Sequence, residues 1–262
     1  MSAPSRPLAG KHAIVTGASR GIGQRVAELI AQAGGDVTLV GRDTERLEAN
    51  AAQLMQAHGV KTLVAATDVA DPQAIEATYA KASQALGAPA ILVNNAGQAI
   101  SAPVHKTDLE LWNRMIGVNL SGVYMFTKVA LPAMTKAGWG RVVNVASTAG
   151  LRGYAYVSAY CAAKHGVIGL TRAVAQEVAI KGVTINAVCP GYVDSDMTDH
   201  TLNNIMKTTG RSREEALSSI VVHNPQKRLV STDEVAQAVL WLCLPSQGAI
   251  NGQALGINGG EV

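Results

Sequence analysis

Apolar residues in this chain occur in short runs, separated by longer stretches in which apolar and polar residues alternate with helical spacing. The runs are rich in Val, Ile, Leu and Ala, which is typical of β-strands buried in a sheet. We predict seven strands, at residues 12–16, 36–40, 61–66, 90–93, 141–147, 183–188 and 253–257. The stretches between them are long enough for helices, so the pattern alternates strand and helix.

This alternation predicts an α/β fold with one doubly wound, seven-stranded parallel sheet. Right-handed crossovers between parallel strands place helices on both faces of such a sheet. The 262 residues, 48% of them hydrophobic and 16% charged, show no linker or repeat, so we expect a single domain over 1–262. The polar segment 194–228 departs from the alternation; it contains a predicted short helix, SREEALSSI, and is a candidate lid over a ligand site.

Ligands bind to sheets of this kind beyond the carboxyl ends of the strands. We therefore expect the functional residues in the segments that leave those ends. These are residues 17–23, 41–44, 68–72, 94–98, 147–156 and 190–197.

Charge and cysteine content exclude several classes of function. The net charge of +3 is small and the basic residues are scattered, so we expect no nucleic-acid partner. Cys161, Cys189 and Cys243 are widely spaced, which favours neither a disulfide framework nor a metal site. The N-terminal residues do not read as a signal peptide, and apolar runs fall short of the ~20 residues that span a bilayer. We predict a cytoplasmic protein with no membrane partner.

Three glycines follow the first predicted strand directly. Gly17, Gly21 and Gly23 lie in the sequence TGASRGIG, and a helical run begins there. Glycines allow a tight turn and close approach to a pyrophosphate, whose charge then meets the free N–H groups of a helix N-terminus. A dinucleotide site is the interpretation we favour over a plain glycine-rich turn.

The TGxxxGxG spacing, together with motifs further along the chain, resembles the compact, classical-type short-chain dehydrogenase/reductase family. The resemblance extends from about Leu8 to Gly260. Besides the glycine loop, the motifs that carry it are Asp68-Val69, Asn94-Asn95-Ala96-Gly97, Asn119, Ser147, Tyr160-Cys-Ala-Ala-Lys164 and Pro190-Gly191. It implies a Rossmann-type fold that binds a nicotinamide dinucleotide.

The resemblance also implies which residues bind that cofactor. Asp68 and Val69 would bound the adenine, Asn95 to Gly97 would pass beneath the ribose, and Pro190 to Ser195 would hold the nicotinamide amide. The full set is Gly17, Ser19, Arg20, Gly21, Ile22, Gly23, Arg42, Asp68, Val69, Asn95, Ala96, Gly97, Tyr160, Lys164, Pro190, Gly191, Val193 and Ser195. Ser195 stands where the family usually has threonine and retains the hydroxyl.

The end of the second strand bears on the choice between NADP and NAD. A carboxylate there usually binds the adenosine ribose of NAD, whereas this chain has Arg42. Arg42 and Arg20 are expected to converge on the 2′-phosphate of NADP, which favours that cofactor. Asp43 leaves NAD open, since a shift of one residue returns a carboxylate to the ribose; alternatively Asp43 caps the next helix.

Tyr160 and Lys164 form the predicted catalytic pair. At i and i+4 of a helix they lie about 40° apart around its axis, so they share a face, and Ser147 is 13 residues upstream at a strand end. Tyr160 would transfer a proton to or from the reacting oxygen, and Ser147 would hold that oxygen. An ammonium at about 4.5 Å contributes ~3.7 kcal/mol at an effective dielectric of ~20, so we expect Lys164 to bring the pKa of Tyr160 toward neutrality. By resemblance, Lys164 also holds the nicotinamide ribose.

Asn119 completes the predicted catalytic set. By resemblance it supports a proton relay through water. The alternative is a helix-interior amide that bonds only to backbone.

These residues predict an oxidoreductase that moves a hydride between NADP(H) and a ketone or secondary alcohol. The C-terminal third looks most like 3-oxoacyl and polyketide ketoreductases, and Tyr154, Tyr156 and Tyr192 are candidate pocket walls. An NAD-dependent dehydrogenase of a small secondary alcohol, sugar or cyclic diol remains open, as does a non-catalytic nucleotide sensor. Family members usually form homotetramers, here through helices near 108–137 and 157–181. The apolar face Val167, Leu170, Val174 and Val178 fits either the sheet or a partner helix.

Overall fold

The computed structural model describes residues 6–262, so the first residues of the N-terminal segment, predicted not to form a signal peptide, lie outside the described part. Seven strands form one parallel sheet in the order β3-β2-β1-β4-β5-β6-β7. Their bounds are β1 His12–Thr16, β2 Asp36–Gly41, β3 Thr62–Ala66, β4 Ile91–Asn94, β5 Gly140–Val145, β6 Val183–Pro190 and β7 Ala254–Ile257. The predicted doubly wound α/β fold is confirmed. The first predicted strand agrees with β1 at both ends, and the others differ by one or two residues at one or both ends.

Nine helices of eight residues or more connect or follow the strands within residues 6–262. They are α1 Gly21–Gln32, α2 Thr44–His58, α3 Pro72–Leu86, α4 Leu109–Ile116, α5 Gly122–Ala137, α6 Ser158–Val178, α7 Asp196–Thr209, α8 Arg213–Val221 and α9 Thr232–Cys243. None of these helices is long and apolar enough to cross a membrane.

Two hydrophobic cores, one on each face, hold the helices against the sheet. One contains apolar residues of α1 and α9, such as Ile30 and Val239, and the other contains residues of α3, α5 and α6, such as Ile75 and Phe126. Every residue of β1, β4, β5 and β6 is buried, as expected for strands covered on both faces. The strands therefore end at a common edge, where their loops are brought together.

The apolar face of α6 packs within its own chain. Val178 is buried in the core that contains Phe126, and Val174 packs against that core. Val167 is buried in a smaller cluster with Cys189 of β6, and Leu170 packs against that cluster. Of the two interpretations left open by the sequence, contact with the chain's own sheet is the one that the structure shows for these four residues.

The helix predicted as continuous over 108–137 is interrupted. A π turn at Gly117–Ser121 separates α4 from α5. The side-chain amide of Asn119 donates to the carbonyl of Met115 at 2.9 Å, the carbonyl that its own backbone N–H would bond in an α-helix. The hydrophobic periodicity continues through the turn, so it does not reveal that the side chain of Asn119 competes with its backbone for the Met115 carbonyl.

The segment after β6 forms two helices, α7 and α8, where the sequence predicted one. Ser212 and Glu215 form a reciprocal capping box that starts α8, the predicted SREEALSSI helix. Leu202, Ala216 and Ile220 are buried between the two helices, and Tyr192 packs against them. A small separate core thus stands above the carboxyl edge of the sheet.

A chain of polar side chains crosses the buried centre of the sheet. Asn94 and Asn144 lie opposite each other on β4 and β5, and the Asn94 amide donates to the Asn144 oxygen at 2.9 Å. Asn94 also donates to Thr127 on α5 at 3.2 Å, and Asn144 to Thr171 on α6 at 2.9 Å. These groups satisfy one another directly beneath the predicted site.

Candidate active site

Two glycines of the loop between β1 and α1 are packed too tightly to carry a side chain. A Cβ on Gly23 would lie 2.2 Å from the carbonyl oxygen of Gly17, and Gly17 itself has a φ of +67°. Gly21, with a φ of +57°, opens α1, and Ser19 and Arg20 immediately precede it. The loop therefore presents backbone at a helix N-terminus, the arrangement that accommodates a pyrophosphate.

Asn95 ties the end of β4 to this loop. Its side-chain amide donates to the carbonyls of Thr16 at 2.9 Å and Gly17 at 3.2 Å, and its backbone N–H donates to the Thr16 hydroxyl at 2.9 Å. The Ala96 N–H bonds the same hydroxyl. The structure thus brings two of the predicted cofactor segments into direct contact.

Asp68 and Val69 follow β3 at the same edge. Asp68 is exposed and accepts a hydrogen bond from the Ala70 N–H at 2.9 Å, whereas Val69 is buried. A Cβ on Gly122 would lie 2.4 Å from the Val69 carbonyl, so α5 passes close behind this segment.

The charged residues near the end of β2 include one ion pair that the sequence did not predict. Arg42 is exposed, whereas the Arg20 guanidinium binds the Asp196 carboxylate of α7 at 2.8 Å. Arg46 lies 3.9 Å from the same carboxylate and 3.4 Å from Asp43. A phosphate that binds Arg20 therefore has to compete with Asp196.

Asp43 caps the N-terminus of α2, which is one of the two roles that the sequence left open for it. Its carboxylate accepts a hydrogen bond from the Arg46 N–H at 3.2 Å. This bond satisfies a free donor in the first turn of the helix and occupies one carboxylate oxygen.

Ser147 leaves β5 two residues beyond the end of the strand. Its hydroxyl accepts a hydrogen bond from the Ala149 N–H at 3.1 Å and starts the short 3₁₀ turn Thr148–Gly150. A Cβ on Gly150 would lie 2.7 Å from the Lys164 carbonyl, so this turn packs directly on α6. That contact places Ser147 beside Tyr160.

Tyr160 and Lys164 lie on successive turns of α6, as the i, i+4 spacing predicted. The Lys164 Nζ is 5.6 Å from the centroid of the Tyr160 ring and donates to the Val145 carbonyl at 2.8 Å. Lys164 is buried and Tyr160 is partly exposed. The pair thus shares one face, with the ammonium fixed from below by the end of β5.

The electrostatics of this pair differ from the expectation. Burial raises the pKa of Tyr160 to about 12, and hydrogen bonding with Ser147 lowers it only in part. Burial also lowers the pKa of Lys164 to about 8. Desolvation of the phenolate thus outweighs the hydrogen bond with Ser147, and this shift is opposite in direction to the fall that was expected from Lys164.

Asn119 is fully buried and bonded to backbone. Its amide donates to the carbonyls of Met115 and Gln98 at 2.9 Å each, and its oxygen accepts from the Gln98 N–H at 3.1 Å. A Cβ on Gly97 would lie 3.0 Å from the Asn119 oxygen and 3.7 Å from the Lys164 Nζ. The hydrogen bonds of Asn119 are therefore those of the alternative interpretation, a helix-interior amide that bonds to backbone. Asn119 also lies close to Lys164.

The segment after β6 closes the other side of the cleft. Pro190 ends β6, the Gly191 N–H donates to Ile257, and Val193 is buried in a bridge to Val230. The Ser195 hydroxyl donates to the Val193 carbonyl at 3.2 Å, and the Ser195 Cβ is 4.0 Å from the position of a Cβ on Gly21. The predicted nicotinamide segment therefore meets the glycine loop.

Four residues near the cleft were not among the predicted site residues. Thr148 and Glu261 both bond the hydroxyl of Tyr154, which the sequence marked only as a candidate wall. Arg46 and Asp196 join Arg20 at the far end. Thr148 and Asp196 lie within the segments 147–156 and 190–197 expected to carry function, but Glu261 and Arg46 lie outside all of these segments. Glu261 is 107 residues from Tyr154, so no local motif could indicate their contact.

The arrangement defines a class of protein: a doubly wound dinucleotide-binding domain with a serine, tyrosine and lysine gathered beside the glycine loop. Comparison with known proteins gives the same class. The family model described as short chain dehydrogenase matches residues 11–205, and the chain belongs to this family. The resemblance drawn from the motifs is confirmed, and with it the oxidoreductase class.

Individual relatives cover nearly the whole chain. The 3-oxoacyl-[acyl-carrier-protein] reductase FabG of Vibrio harveyi is 40% identical over 97% of this chain and 98% of that enzyme. A D-beta-hydroxybutyrate dehydrogenase of Rhizobium meliloti is 34% identical over 95% and 98%. Among solved structures, a single-substitution variant of actinorhodin polyketide ketoreductase with NADPH matches with a TM-score of 0.92 and 36% identity, covering 98% of each chain.

Proposed function

We propose that this chain is a ketoreductase that transfers a hydride from NADPH to a ketone, with Tyr160 as proton donor. The observation that carries the proposal is the convergence of Ser147, Tyr160 and Lys164 next to a glycine loop whose Gly17 and Gly23 have no space for a Cβ. The 3-oxoacyl and polyketide reductases among the relatives support a 3-oxoacyl thioester or similar ketone as substrate.

The residues fit a nicotinamide dinucleotide. Gly17 and Gly23 let the loop pack closely against Asn95 and Ala96 and form a tight turn into α1, whose N-terminus favours the negative charge of a pyrophosphate. We expect Arg42, Arg20 and Arg46 to lie near the adenosine 2′-phosphate, which supports NADPH over NADH, as does the NADPH bound to the related ketoreductase. Asn95, Ala96, Gly97, Lys164 and the segment Pro190–Ser195 would hold the remainder. The cofactor, when bound, supplies the hydride.

The side chains of the protein then donate the proton to the substrate and replace it. A phenol whose pKa is raised to about 12 stays protonated at neutral pH, so Tyr160 is ready to donate to the oxygen that becomes an alcohol. Ser147 would hold that oxygen by a hydrogen bond that strengthens as negative charge develops. Lys164, positively charged below its pKa of about 8, would stabilise the tyrosinate left behind, and Asn119 would support a relay through water that returns a proton from solvent.

Helices α7 and α8 form the proposed lid. Their small core is separate from the two main ones, so they can move without exposing the sheet. We also propose a homotetramer and a cytoplasmic location, as expected from the sequence.

A second candidate is an NAD-dependent dehydrogenase of a small hydroxy compound. One observation favours it: Arg20 is already paired with Asp196, which leaves Arg42 as the exposed guanidinium nearest to β2. The D-beta-hydroxybutyrate dehydrogenase among the relatives is consistent with this alternative.

Turnover and the proton donor are tested together. NADPH oxidation should be measured with a panel of 3-oxo esters, 3-oxo thioesters and cyclic ketones, for the parent and for Tyr160→Phe. We expect the variant to lose at least about 99% of kcat while the Kd for NADPH changes by less than about twofold, because the hydroxyl acts only on the reacting oxygen. Tyr79→Phe on α3 removes a hydroxyl far from the cleft and is the matched control. If Tyr160→Phe keeps more than about a tenth of parental activity, the mechanism is wrong.

A further inference from the structure

The last residues of the chain fold back over the cleft. The backbone N–H of Gly191 donates to Ile257 at the end of β7, and the Asn258 side-chain oxygen accepts from the N–H groups of Gly260 and Glu261 at 3.1 Å each. A Cβ on Gly260 would lie 3.7 Å from Pro225, which follows the lid helices. The turn Asn258–Glu261 is thereby fixed between the lid and the end of β6.

This turn places one carboxylate between the two walls of the cleft. One oxygen of Glu261 accepts a hydrogen bond from the Tyr154 hydroxyl, which also bonds Thr148, the residue after Ser147, at 2.9 Å. The other oxygen lies 3.4 Å from the position of a Cβ on Gly191. Glu261 therefore contacts both the loop that begins at the proposed carbonyl-binding serine and the segment proposed to hold the nicotinamide.

The charge of this carboxylate is not balanced by a neighbouring cation. Within residues 6–262, no Lys, Arg or His nitrogen lies within ion-pair distance of Glu261. Arg152 stacks 5.0 Å from the centre of the Tyr154 ring, but it is exposed and water screens its charge. After burial, the negative charge of Glu261 is among the causes that raise the pKa of Tyr154 and of Tyr192, so its potential reaches both walls.

We infer that Glu261 is a specificity-determining residue that gives the substrate pocket a negatively charged wall. An anionic substrate that enters between Tyr154 and Gly191 meets a fixed like charge, whereas a neutral one does not. The pocket therefore selects neutral 3-oxo esters and thioesters against free 3-oxo carboxylates of the same length. This inference rests on the proposed ketoreductase function and assigns its substrate class.

The test compares two probes that differ in charge, 3-oxobutanoate and its ethyl ester. The measured quantity is the ratio of kcat/KM for the ester to kcat/KM for the anion. We expect Glu261→Gln to lower this ratio at least about fivefold, since an amide can still accept from Tyr154 but carries no charge. Raising ionic strength from about 0.05 to 0.5 M should lower the parental ratio in the same direction.

Two variants separate charge from packing. Glu261→Asp keeps the charge and should keep the ratio within about threefold of the parent, even where both kcat/KM values fall. Glu76→Gln, on the exposed face of α3, makes the same change in net charge far from the cleft and should leave the ratio unaltered. If Glu261→Gln also keeps the parental ratio, Glu261 only anchors the tail and the inference is overturned.

Binding without turnover distinguishes this inference from the proposed function. Calorimetry with NADPH and Tyr160→Phe gives the Kd of each probe, and the same ratio is compared with and without Glu261→Gln. A charge-dependent ratio in binding, with no reduction of either probe by the parent, would support the negative wall and refute the ketoreductase proposal for these probes. A parent that binds the anion more tightly than the ester would overturn the inference.

Discussion

Burial shifts the pKa values of Tyr160 and Lys164 in opposite directions. Removing a phenolate from water raises the pKa of the tyrosine to about 12, and removing an ammonium lowers the pKa of the lysine to about 8. Both shifts favour the neutral forms, so the protein alone holds the proton on Tyr160. This state suits reduction, in which the tyrosine donates, and requires an additional positive charge for the reverse direction.

Asp196 is expected to affect cofactor binding through the arginines with which it pairs. It binds Arg20 and lies 3.9 Å from Arg46, so a 2′-phosphate must replace it at these guanidinium groups. We expect Asp196→Asn to tighten NADPH binding about two- to fivefold, the range of an exposed ion pair, and to leave the NADH Kd unaltered. Fluorescence titration of both cofactors measures this.

Asp199→Asn is the matched control, because Asp199 lies on the same helix and pairs with Arg213 instead. Weaker NADPH binding by Asp196→Asn would mean that Asp196 positions Arg20 for the phosphate. A parent that prefers NADH tenfold would show that Asp43, rather than Arg42, governs the choice of cofactor.

Among the secondary-structure elements, β1 is joined to its surroundings by a buried histidine. One ring nitrogen of His12 lies 2.6 Å from the Gly87 carbonyl, which precedes β4, and the other lies 2.8 Å from the Thr38 hydroxyl on β2. Burial lowers the pKa of His12 below 6.5, although the hydrogen bond to Gly87 and the charge of Asp36 oppose this. His12 is therefore neutral in the folded chain at pH 7.

This shift predicts a loss of stability in acid. The unfolded chain takes up a proton on His12 as the pH falls below about 6.5, and the folded chain takes it up only at lower pH. The stability contributed by His12 is thus complete above about pH 6.5 and decreases as the pH falls from there. We expect Tm to fall by a few degrees between pH 7 and pH 5, and by less in His12→Gln. Differential scanning calorimetry measures both slopes.

His105→Gln is the control for that experiment, because His105 is exposed. Its Tm should follow the parental pH dependence. An equal slope in His12→Gln and the parent would show that other groups cause the acid sensitivity.

Elements whose partners are close in sequence were predicted well, and those with distant partners were not. The strand, glycine loop and helix at residues 12–32 follow from local pattern, as does the shared face of Tyr160 and Lys164. The break before α5 was missed because a single side-chain bond, from Asn119 to Met115, causes it. Tyr154 and Glu261 are 107 residues apart, and Arg20 and Asp196 are 176 apart, so only the folded chain brings them together.

For the whole molecule, α4 and α5 present large apolar groups to solvent. Leu109 is 77% exposed, Trp112 39% and Tyr124 47%, on the helices that the sequence marked as a subunit interface. Isolated exposed apolar residues are ordinary, but Leu109 and Trp112 on adjacent turns of α4, together with Tyr124 on α5, favour a protein contact.

We expect light scattering at micromolar concentration to give about four times the 27.2 kDa of one chain. Tyr124→Arg should lower that mass, because it places a charge in the proposed contact, whereas Met55→Arg on the exposed side of α2 should not. A parental monomer would contradict the proposed tetramer.

The buried amides of Asn94 and Asn144 have a consequence for how the sheet assembles. If β5 slid by one residue against β4, the two amides would no longer face each other, and the Asn144 oxygen would lose its donor in the interior. An unmet buried polar group costs about 1–3 kcal/mol, so the misaligned sheet is destabilised. Apolar strands alone tolerate such slippage more easily. The two amides therefore favour the correct register of the two strands that lead to Asn95 and Ser147 during folding.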